Sequence, residues 1–210
     1  DAGSISNDRI TSIAEDEHNV IWIGTLGGGL LNYNKATKKF HNHQKTENNP
    51  FGLSDNLVRC IYLDELESVW LGTSSGGVNV YFRNAAKFAH YQKNENVENS
   101  LRSNTICSIL QDQDGLIWIG TLEGGLSILN RTTGVYTHHD KLSTSKNNSV
   151  LSLLQDRDGI IWVGTWGEGF NSYNKETGDI KYYRDNYKDK KSMLSNGTIL
   201  CLYEDKRGLI

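Results

Sequence analysis

The sequence predicts an all-β fold, a β-propeller fragment of four four-stranded antiparallel blades and the start of a fifth. A ten-residue phrase occurs four times, as IWIGTLGGGL from Ile21, VWLGTSSGGV from Val69, IWIGTLEGGL from Ile117 and IWVGTWGEGF from Ile161. The tryptophans of these phrases are 48, 48 and 44 residues apart, and such a period is typical of propeller blades or solenoid repeats. Apolar residues alternate with a period of two inside each repeat, which indicates strands.

The first strand of each repeat ends in an acidic turn. In RITSIAED, LVRCIYLD, TICSILQD and SVLSLLQD, apolar residues alternate with small or polar residues until an aspartate is reached. The turns DQDG at 112–115 and DRDG at 156–159 have the Asp-Gly chemistry of a tight hairpin. The aspartate lies six residues before the repeat tryptophan, at Asp16, Asp64, Asp112 and Asp156, and Asp205 keeps the same register.

The second strand contains the repeat tryptophan, and a glycine-rich connection leads from it to two further strands. The third strands are predicted at GLLNYN, GVNVYF, GLSILN and GFNSYN, and the fourth at KFHNHQ, KFAHYQ, VYTHHD and IKYYRD. Four short antiparallel strands in a unit of this length form a propeller blade, whereas a β-solenoid has shorter coils. The structural positions of the second strand are Trp22, Trp70, Trp118 and Trp162, followed two residues later by Gly24, Gly72, Gly120 and Gly164.

These repeats divide the chain into one partial propeller domain over residues 1–210. Propellers usually close with four to eight blades, so we expect the remaining blades to belong to the same parent chain. The repeats are predicted at approximately 5–52, 53–100, 101–146 and 147–192, with a partial repeat at 193–210.

The composition excludes several classes of protein. With 37% hydrophobic residues and a net charge of −3, the chain is globular and contacts no nucleic acid. Because no apolar run approaches the roughly 20 residues of a membrane span, we expect no membrane segment in this chain. The three cysteines lie in apolar, strand-like runs without C-x-x-C spacing. They are predicted to be small buried thiols, with a disulfide or a metal site as the alternatives.

The repeated pattern L-S-x-N-x-[aliphatic]-x-[CS]-I-x-x-D-x-x-G-x-[IV]-W-[aliphatic]-G-T-x-x-G-G resembles the two-component regulator propeller repeat. The resemblance covers essentially the whole chain, although DELES at 64–68 and DEHN at 16–19 lack the turn glycine and GEG at 167–169 splits the glycine pair. It implies the periplasmic sensor region of a hybrid two-component sensor histidine kinase and response regulator, as found in Bacteroidetes. This region would be the ectodomain of an inner-membrane protein whose parent is a homodimer.

The motifs that suggest a cofactor have simpler explanations. The glycine cluster at 24–29 is followed by a strand, whereas a phosphate loop needs a helix that presents its N-terminus. Asp112 and Asp114 do not complete the EF-hand series, so a hairpin is favoured over a weak ion site. His41, His43 and the pair at 138–139 lie in fourth strands without a third ligand. We therefore predict no cofactor, no metal site and no catalytic residue.

The candidate ligand site lies on the rim where the first strand begins and the second strand ends. Trp166 is the one tryptophan of five outside the repeat position. Its ring is suited to stacking on a sugar while Glu168 accepts hydrogen bonds from hydroxyl groups. The alternative is that Trp166 covers the hydrophobic edge of the next blade. The predicted ligand-binding residues are Trp166, Glu168, Glu123, Arg102 and Asn104.

The predicted function follows from the resemblance and from this rim. The segment would detect a glycan or oligosaccharide and so control a histidine kinase and the transcription of polysaccharide-utilisation genes. It would have no enzymatic activity of its own. A propeller that serves as a protein-interaction platform in a cell-surface complex is the alternative, and a lyase-like or sialidase-like propeller enzyme is the third.

Overall fold

The computed structural model of the chain describes residues 5, 7–142, 148–184, 194 and 197–210. These residues form sixteen strands in four antiparallel sheets, each with its strands in sequence order. The predicted all-β fold of four four-stranded blades is therefore confirmed. The predicted repeat boundaries near residues 146 and 192 lie outside the described residues. The chain divides into two compact units, Asp1–Ile109 and Leu110–Ile210.

The four sheets have nearly equal strands, because each repeat has the same pattern of apolar residues and turns. The first sheet contains β1 (Ile10–Glu15), β2 (Val20–Thr25), β3 (Leu30–Asn34) and β4 (Lys39–His43). The second contains β5 (Val58–Leu63), β6 (Val69–Thr73), β7 (Val78–Phe82) and β8 (Lys87–Tyr91). The third contains β9 (Ile106–Gln111), β10 (Ile117–Thr121), β11 (Gly125–Asn130) and β12 (Val135–His138), followed by a 3-10 turn at Asp140–Leu142. The fourth contains β13 (Val150–Gln155), β14 (Ile161–Thr165), β15 (Phe170–Tyr173) and β16 (Ile180–Tyr183).

In the first unit the glycine of the second strand lets the following repeat pack closely. A Cβ atom added to Gly24 would lie 2.9 Å from Cγ1 of Val58 in β5, and one added to Gly72 would lie 2.7 Å from Cγ2 of Ile106 in β9. A larger residue at either position would push the neighbouring strand away. The core around this contact consists of Val20, Trp22, Leu30, Leu53, Val58, Val69, Leu71 and Phe88.

The second unit repeats this packing with its own residues. A Cβ atom on Gly164 of β14 would lie 2.9 Å from Cγ2 of Ile199, and Gly120 is buried in the equivalent place in β10. The core consists of Trp118, Leu126, Ile128, Leu142, Val150, Ile161 and Val163.

Residues 197–210 take the place of a first strand against the fourth sheet. The N–H of Ile199 donates to the Thr165 carbonyl at 3.0 Å, and the Ile199 carbonyl accepts from Oγ of Ser152 at 3.2 Å. The N–H of Gly208 closes a turn on the carbonyl of Asp205 at 3.0 Å. The predicted start of a fifth repeat is thus in position, but no regular strand forms in residues 197–210.

The three cysteines are free, and they differ in burial. Cys60 and Cys107 are partly buried, whereas Cys201 is exposed. Burial raises the pKa of the Cys60 thiol to about 12 and also raises that of Cys107. The prediction of a buried thiol was wrong for Cys201. This residue has the same repeat position as Cys60, which pairs with Gly72 of the adjacent second strand, and residues 197–210 have no such strand beside them.

Each repeat aspartate accepts a hydrogen bond from the indole of its own repeat tryptophan. The Nε1 to Oδ2 distances are 2.6 Å for Trp22 and Asp16, 2.7 Å for Trp70 and Asp64, 2.7 Å for Trp118 and Asp112, and 2.6 Å for Trp162 and Asp156. We call this arrangement the Asp-Trp clamp.

The other carboxylate oxygen of the clamp holds the hairpin turn. Oδ1 of Asp64 accepts the N–H groups of Leu66 at 2.9 Å and Ser68 at 2.7 Å. The other three clamps and Asp205 have the same two bonds. The turn therefore closes in the first two repeats without the glycine that the other turns use. Asn19 and Glu67 adopt the positive φ there, at 59° and 60°.

Replacement of Asp64 by alanine removes a buried carboxylate whose two oxygens accept three hydrogen bonds. The indole of Trp70 and two turn N–H groups then lack their partner, and we expect the free energy of unfolding to fall by about 3 kcal/mol. Urea unfolding followed by circular dichroism measures the loss. The exposed neighbour Glu65→Gln is the control and should stay within about 0.5 kcal/mol of the original chain. Equal stability of the two variants would contradict the clamp's role.

His43 provides a second test of the core, because its ring is packed between aromatic side chains. It lies 5.2 Å from the Tyr81 ring and 5.8 Å from that of Phe88, and its Nε2 is buried without a hydrogen-bond partner. Burial, with a smaller contribution from His41, lowers the pKa of His43 below its usual 6.5. A neutral ring is therefore favoured in the folded state.

We expect the stability of the first unit to depend on pH through this histidine. The unfolded chain takes up a proton below about pH 6.5 while the folded His43 does not, so stability falls as the pH drops from 6.5 towards the lowered pKa. Urea midpoints at pH 7.5, 6.5 and 5.5 measure the slope. His43→Tyr, which places here the residue found at Tyr91 and Tyr183, should reduce the slope. His41→Gln should leave most of it, and an unchanged slope in His43→Tyr would refute the assignment.

Candidate functional site

The connection between the second and third strands is rigid in all four sheets. The Thr hydroxyl that ends the second strand donates to the carbonyl of the glycine four residues later, at 2.8 to 2.9 Å in Thr25, Thr73, Thr121 and Thr165. All four threonines are buried. A strand follows each connection, as predicted, so the glycines do not form a phosphate loop.

Gly169 shows why these connections end in glycine. Its φ is +81°, a value that favours glycine, and an added Cβ would clash with the Tyr183 carbonyl. The connection in the fourth sheet is thereby held against β16, and its backbone is fixed. Only the three residues between the threonine and this glycine can therefore differ in side chain from one repeat to the next.

Trp166 is an exposed aromatic residue on this fixed backbone. It directly follows the buried Thr165, its N–H donates to the Ser149 carbonyl at 3.2 Å, and the residue is 50% exposed. A half-exposed aromatic ring has surface available for contact with a ligand. Trp166 therefore lies directly after β14 and is half exposed, while its binding role stays a prediction.

Glu168 lies near the guanidinium group of Arg184, which in turn lies over the Tyr182 ring, and neither residue was among the predicted site residues. Its Oε2 is 3.8 Å from Nη2 of Arg184, and the Arg184 guanidinium carbon lies 5.2 Å from the centre of the Tyr182 ring. Tyr182 is 45% exposed, and its hydroxyl donates to the Lys141 carbonyl at 3.4 Å. The sequence did contain a signal for this pair. Tyr182 and Arg184 are two residues apart at the end of a strand, and residues with this spacing point to the same face of a sheet.

Ser149 connects Glu123 with Trp166. The buried Ser149 accepts the Glu123 N–H on its hydroxyl oxygen at 3.0 Å and the Trp166 N–H on its carbonyl oxygen. Glu123 is exposed and adopts a positive φ of 63°, so its side chain leaves the connection of the third sheet towards solvent. The second unit therefore has three of the five predicted ligand-binding residues on neighbouring rim connections.

Arg102 and Asn104, the other two predicted residues, belong to the first unit. Oδ1 of Asn104 accepts the Lys93 N–H at 2.7 Å, and its carbonyl accepts the Gly77 N–H at 3.0 Å. Asn56 makes the same two bonds, with Lys45 and Gly29, which indicates a structural role of the asparagine in each repeat. Arg102 is exposed. Ligand binding by these two residues stays a prediction.

The hairpin turns of the first unit surround an acidic cavity of about 290 Å³. Its walls include Glu15, Asp16, Glu17, Asp64, Glu65 and Glu67. Side chains of the chain itself bind several of these groups, since Arg83 pairs with Asp16 and Lys35 with Glu15. The Nε2 atom of His18 lies within hydrogen-bond distance of Glu67, at 2.8 Å. Burial alone would raise the pKa of Asp16, but hydrogen bonds from Trp22 and Val20 and the Arg83 charge hold it below its usual value.

The aspartates that suggested a weak ion site have a different partner. The ammonium group of Lys175 binds both Asp112 and Asp114. Burial opposes the charge on Lys175, but the two carboxylates raise its pKa above the usual value. The lysine occupies the place between these carboxylates where an ion would bind. Within the described part of the chain, no three His, Cys, Asp or Glu residues are arranged to hold a metal ion.

Comparison with known families confirms the resemblance of the repeats. The two component regulator propeller family matches residues 4–27, 100–123 and 144–167. Each matched stretch covers the first strand, the turn and the second strand of a repeat. No curated protein sequence is significantly similar to the chain.

Solved structures with the same fold include extracellular domains of putative hybrid two component systems. The extracellular domain of the putative hybrid two component system BT3049 from B. thetaiotaomicron superimposes with a TM-score of 0.80 at 20% identity, over 97% of this chain and 27% of that domain. The corresponding domain of BT4673 gives a TM-score of 0.77 at 24% identity, over 95% and 25%. This chain thus spans about a quarter of these domains, and identities this low establish the fold alone.

A third similar structure is PorZ, described as an essential surface component of the type-IX secretion system of Porphyromonas gingivalis. It gives a TM-score of 0.68 at 16% identity, over 96% of this chain and 31% of PorZ.

In the residues that the structure describes, no helix is long and apolar enough to span a membrane.

Proposed function

We propose that this chain, which is built of two-component regulator propeller repeats, is part of the extracytoplasmic ligand-sensing propeller of a hybrid two-component signalling protein. The matched repeats and the fold shared with two such extracellular domains support this proposal. Because the chain spans about a quarter of those domains, further blades of the same parent chain would accompany it. The parent would be a homodimeric inner-membrane sensor histidine kinase whose ectodomain is periplasmic.

The ligand that we propose is a glycan or oligosaccharide, and the rim around Trp166 is its site. The observation that carries this proposal is a half-exposed tryptophan two residues before Glu168, whose carboxylate lies 3.8 Å from the Arg184 guanidinium. A sugar ring offers C–H groups that pack on an indole and hydroxyl groups that donate to Glu168 or accept from Arg184. The pair of Glu168 and Arg184 is long and partly exposed, so exchanging it for bonds to a ligand costs little.

Ligand binding would control the kinase by favouring one of two arrangements of the ectodomain. A ligand shifts such an equilibrium only by the difference between its affinities for the two states. The blades described here would contribute through binding and would have no catalytic role. The output, under this proposal, is kinase activity and then transcription of genes for polysaccharide utilisation.

A protein-interaction platform in a cell-surface complex is the second candidate function. The observation in its favour is the shared fold with PorZ, a surface component of a secretion system. Under this alternative Trp166 would anchor a protein partner, since exposed tryptophans are enriched at the centres of protein interfaces.

Thermal unfolding of the intact ectodomain with a panel of oligosaccharides tests the sensing proposal. We expect one glycan to stabilise the ectodomain by roughly 2.7 kcal/mol at about 100 times its dissociation constant. Trp166→Ala should abolish this stabilisation and Glu168→Gln should weaken it. Leu66→Ala is the matched control, because Leu66 is an exposed apolar residue in a hairpin turn.

Two results would change the assignment. If no glycan shifts the melting temperature and a protein partner co-purifies with the ectodomain, the platform is the function. If a glycan binds Trp166→Ala as well as the original protein, the ligand site lies elsewhere in the ectodomain.

A further inference from the structure

The second blade departs from the repeat at the end of its third strand. The other three blades have an asparagine there, whose Oδ1 atom accepts two turn N–H groups at 2.8 to 3.2 Å, at Asn34, Asn130 and Asn174. Phe82 occupies this position in the second blade and is 38% exposed. Its ring accepts no such bonds, and the N–H of Ala85 donates to the Phe82 carbonyl at 3.2 Å instead. The phenylalanine side chain is therefore not required by the turn.

The hairpin turn of the same blade has a second exposed apolar residue. Leu66 is 73% exposed. The corresponding residues of the other three blades are polar, namely His18, Asp114 and Asp158. The turn is held by backbone N–H groups that donate to Asp64, so it does not require a leucine either. Leu66 and Phe82 line one cavity of about 290 Å³ together with Arg83.

Two apolar residues that neither the core nor a turn requires thus lie in the same cavity. Single apolar residues are common on protein surfaces, whereas apolar residues that adjoin one another mark sites of interaction. Phe82 also deprives its turn of the hydrogen bonds that an asparagine provides in the other blades. The cavity therefore points to a contact outside the blade.

Carboxylates border this cavity. Glu67 lines both it and the acidic cavity described above, whose walls include Glu17 and Glu65. The latter two residues directly follow the clamp aspartates and are exposed. Their counterparts in the second unit are Gln113 and Arg157, so the clamp does not require a carboxylate at this position. The fold leaves the position free to vary, and in the first unit it is acidic.

We propose that this surface binds a segment of a partner protein in which an apolar side chain lies next to a lysine or arginine. We call it the second-blade groove, and it consists of Glu65, Leu66, Glu67 and Phe82. The apolar side chain would pack between Leu66 and Phe82, and the basic side chain would donate hydrogen bonds to the two glutamates. Charge complementarity selects this occupant, because a segment without a basic residue would bury the carboxylates unpaired.

The proposal does not depend on the sensing function. Leu66 lies in the hairpin turn before the second strand of its blade, whereas the connection that corresponds to Trp166 follows this strand. A partner at the groove would therefore leave the rim of the blade open. A second copy of this chain, with its net charge of −3, is a less favourable occupant than a basic segment, because like charges repel.

Peptide selection on the intact protein tests the proposal. A displayed library of short random peptides is selected on the immobilised protein, and we expect the enriched peptides to contain an apolar residue next to lysine or arginine. Their dissociation constants are then measured by fluorescence anisotropy. These should rise at least about tenfold in Phe82→Asn, which restores the residue of the other three blades, and about threefold in Glu65→Gln.

Phe51→Asn is the matched control, because Phe51 is a phenylalanine of the same unit that is 54% exposed and lies outside both cavities. It should leave the dissociation constants unchanged. Urea unfolding should show that Phe82→Asn is at least as stable as the original chain, because the asparagine can accept the two turn N–H groups. Lost binding in this variant then cannot result from unfolding. Binding should also weaken as the salt concentration rises, because salt screens the charges.

Three results would overturn the proposal. The first is a selection that enriches no peptide, or only peptides without a basic residue. The second is equal binding of the enriched peptides to Phe82→Asn and to the original protein. The third is self-association, measured by sedimentation velocity, that Phe82→Asn abolishes, because the occupant would then be a second copy.

Discussion

A hydrogen bond between an aspartate and the indole six residues later organises every repeat, and this aspartate is buried at Asp64 and Asp112 and partly buried at Asp16 and Asp156. The carboxylate closes the hairpin turn with one oxygen and fixes the tryptophan with the other. A buried carboxylate is costly without compensation, and three N–H donors supply part of it. Where the next blade is present within a unit, its third strand supplies the remainder as a cation on Asp16 or Asp112. The order inside a blade and the packing between blades thus depend on one carboxyl group.

The Asp-Trp clamp and the threonine–glycine connection lie at opposite ends of each blade, and the two ends differ in how far their side chains can vary. The end with the clamps has an aspartate and a tryptophan in every repeat, because each aspartate accepts hydrogen bonds from the indole and from two turn N–H groups. The other end is held by a buried threonine and a glycine carbonyl, which constrain only the backbone. The three residues between them differ in all four repeats, as Leu-Gly-Gly, Ser-Ser-Gly, Leu-Glu-Gly and Trp-Gly-Glu. Specific recognition is therefore more easily accommodated at the threonine end.

The strands could be predicted from the sequence, because a period of two in apolar residues and an Asp-Gly turn are both local patterns. The sequence also located Trp166, since a tryptophan outside the repeat register is visible without a structure. It did not reveal that Arg83 binds Asp16, 67 residues away, although a basic residue follows every third strand. Pairing across blades depends on which turn lies beside which strand, and no local pattern contains that information. The burial of Cys201 was misjudged for a related reason, because burial depends on the adjacent strand and not on the apolar run alone.

The same contacts limit how a rim ligand could act on the rest of a sensor. Within the fourth blade, the five residues of β14 connect Thr165, beside Trp166, to Trp162 and its clamp. Both ends of this strand are fixed by short hydrogen bonds to buried groups, so a ligand worth a few kcal/mol would hardly deform it. The contacts between blades include ring packing and ion pairs, such as those of Tyr81 with Trp22 and of Arg83 with Asp16, which are easier to rearrange than a strand ladder. If the rim binds a ligand, the resulting movement should therefore occur where one blade meets the next, and the cations on Asp16 and Asp112 are the contacts that would report it.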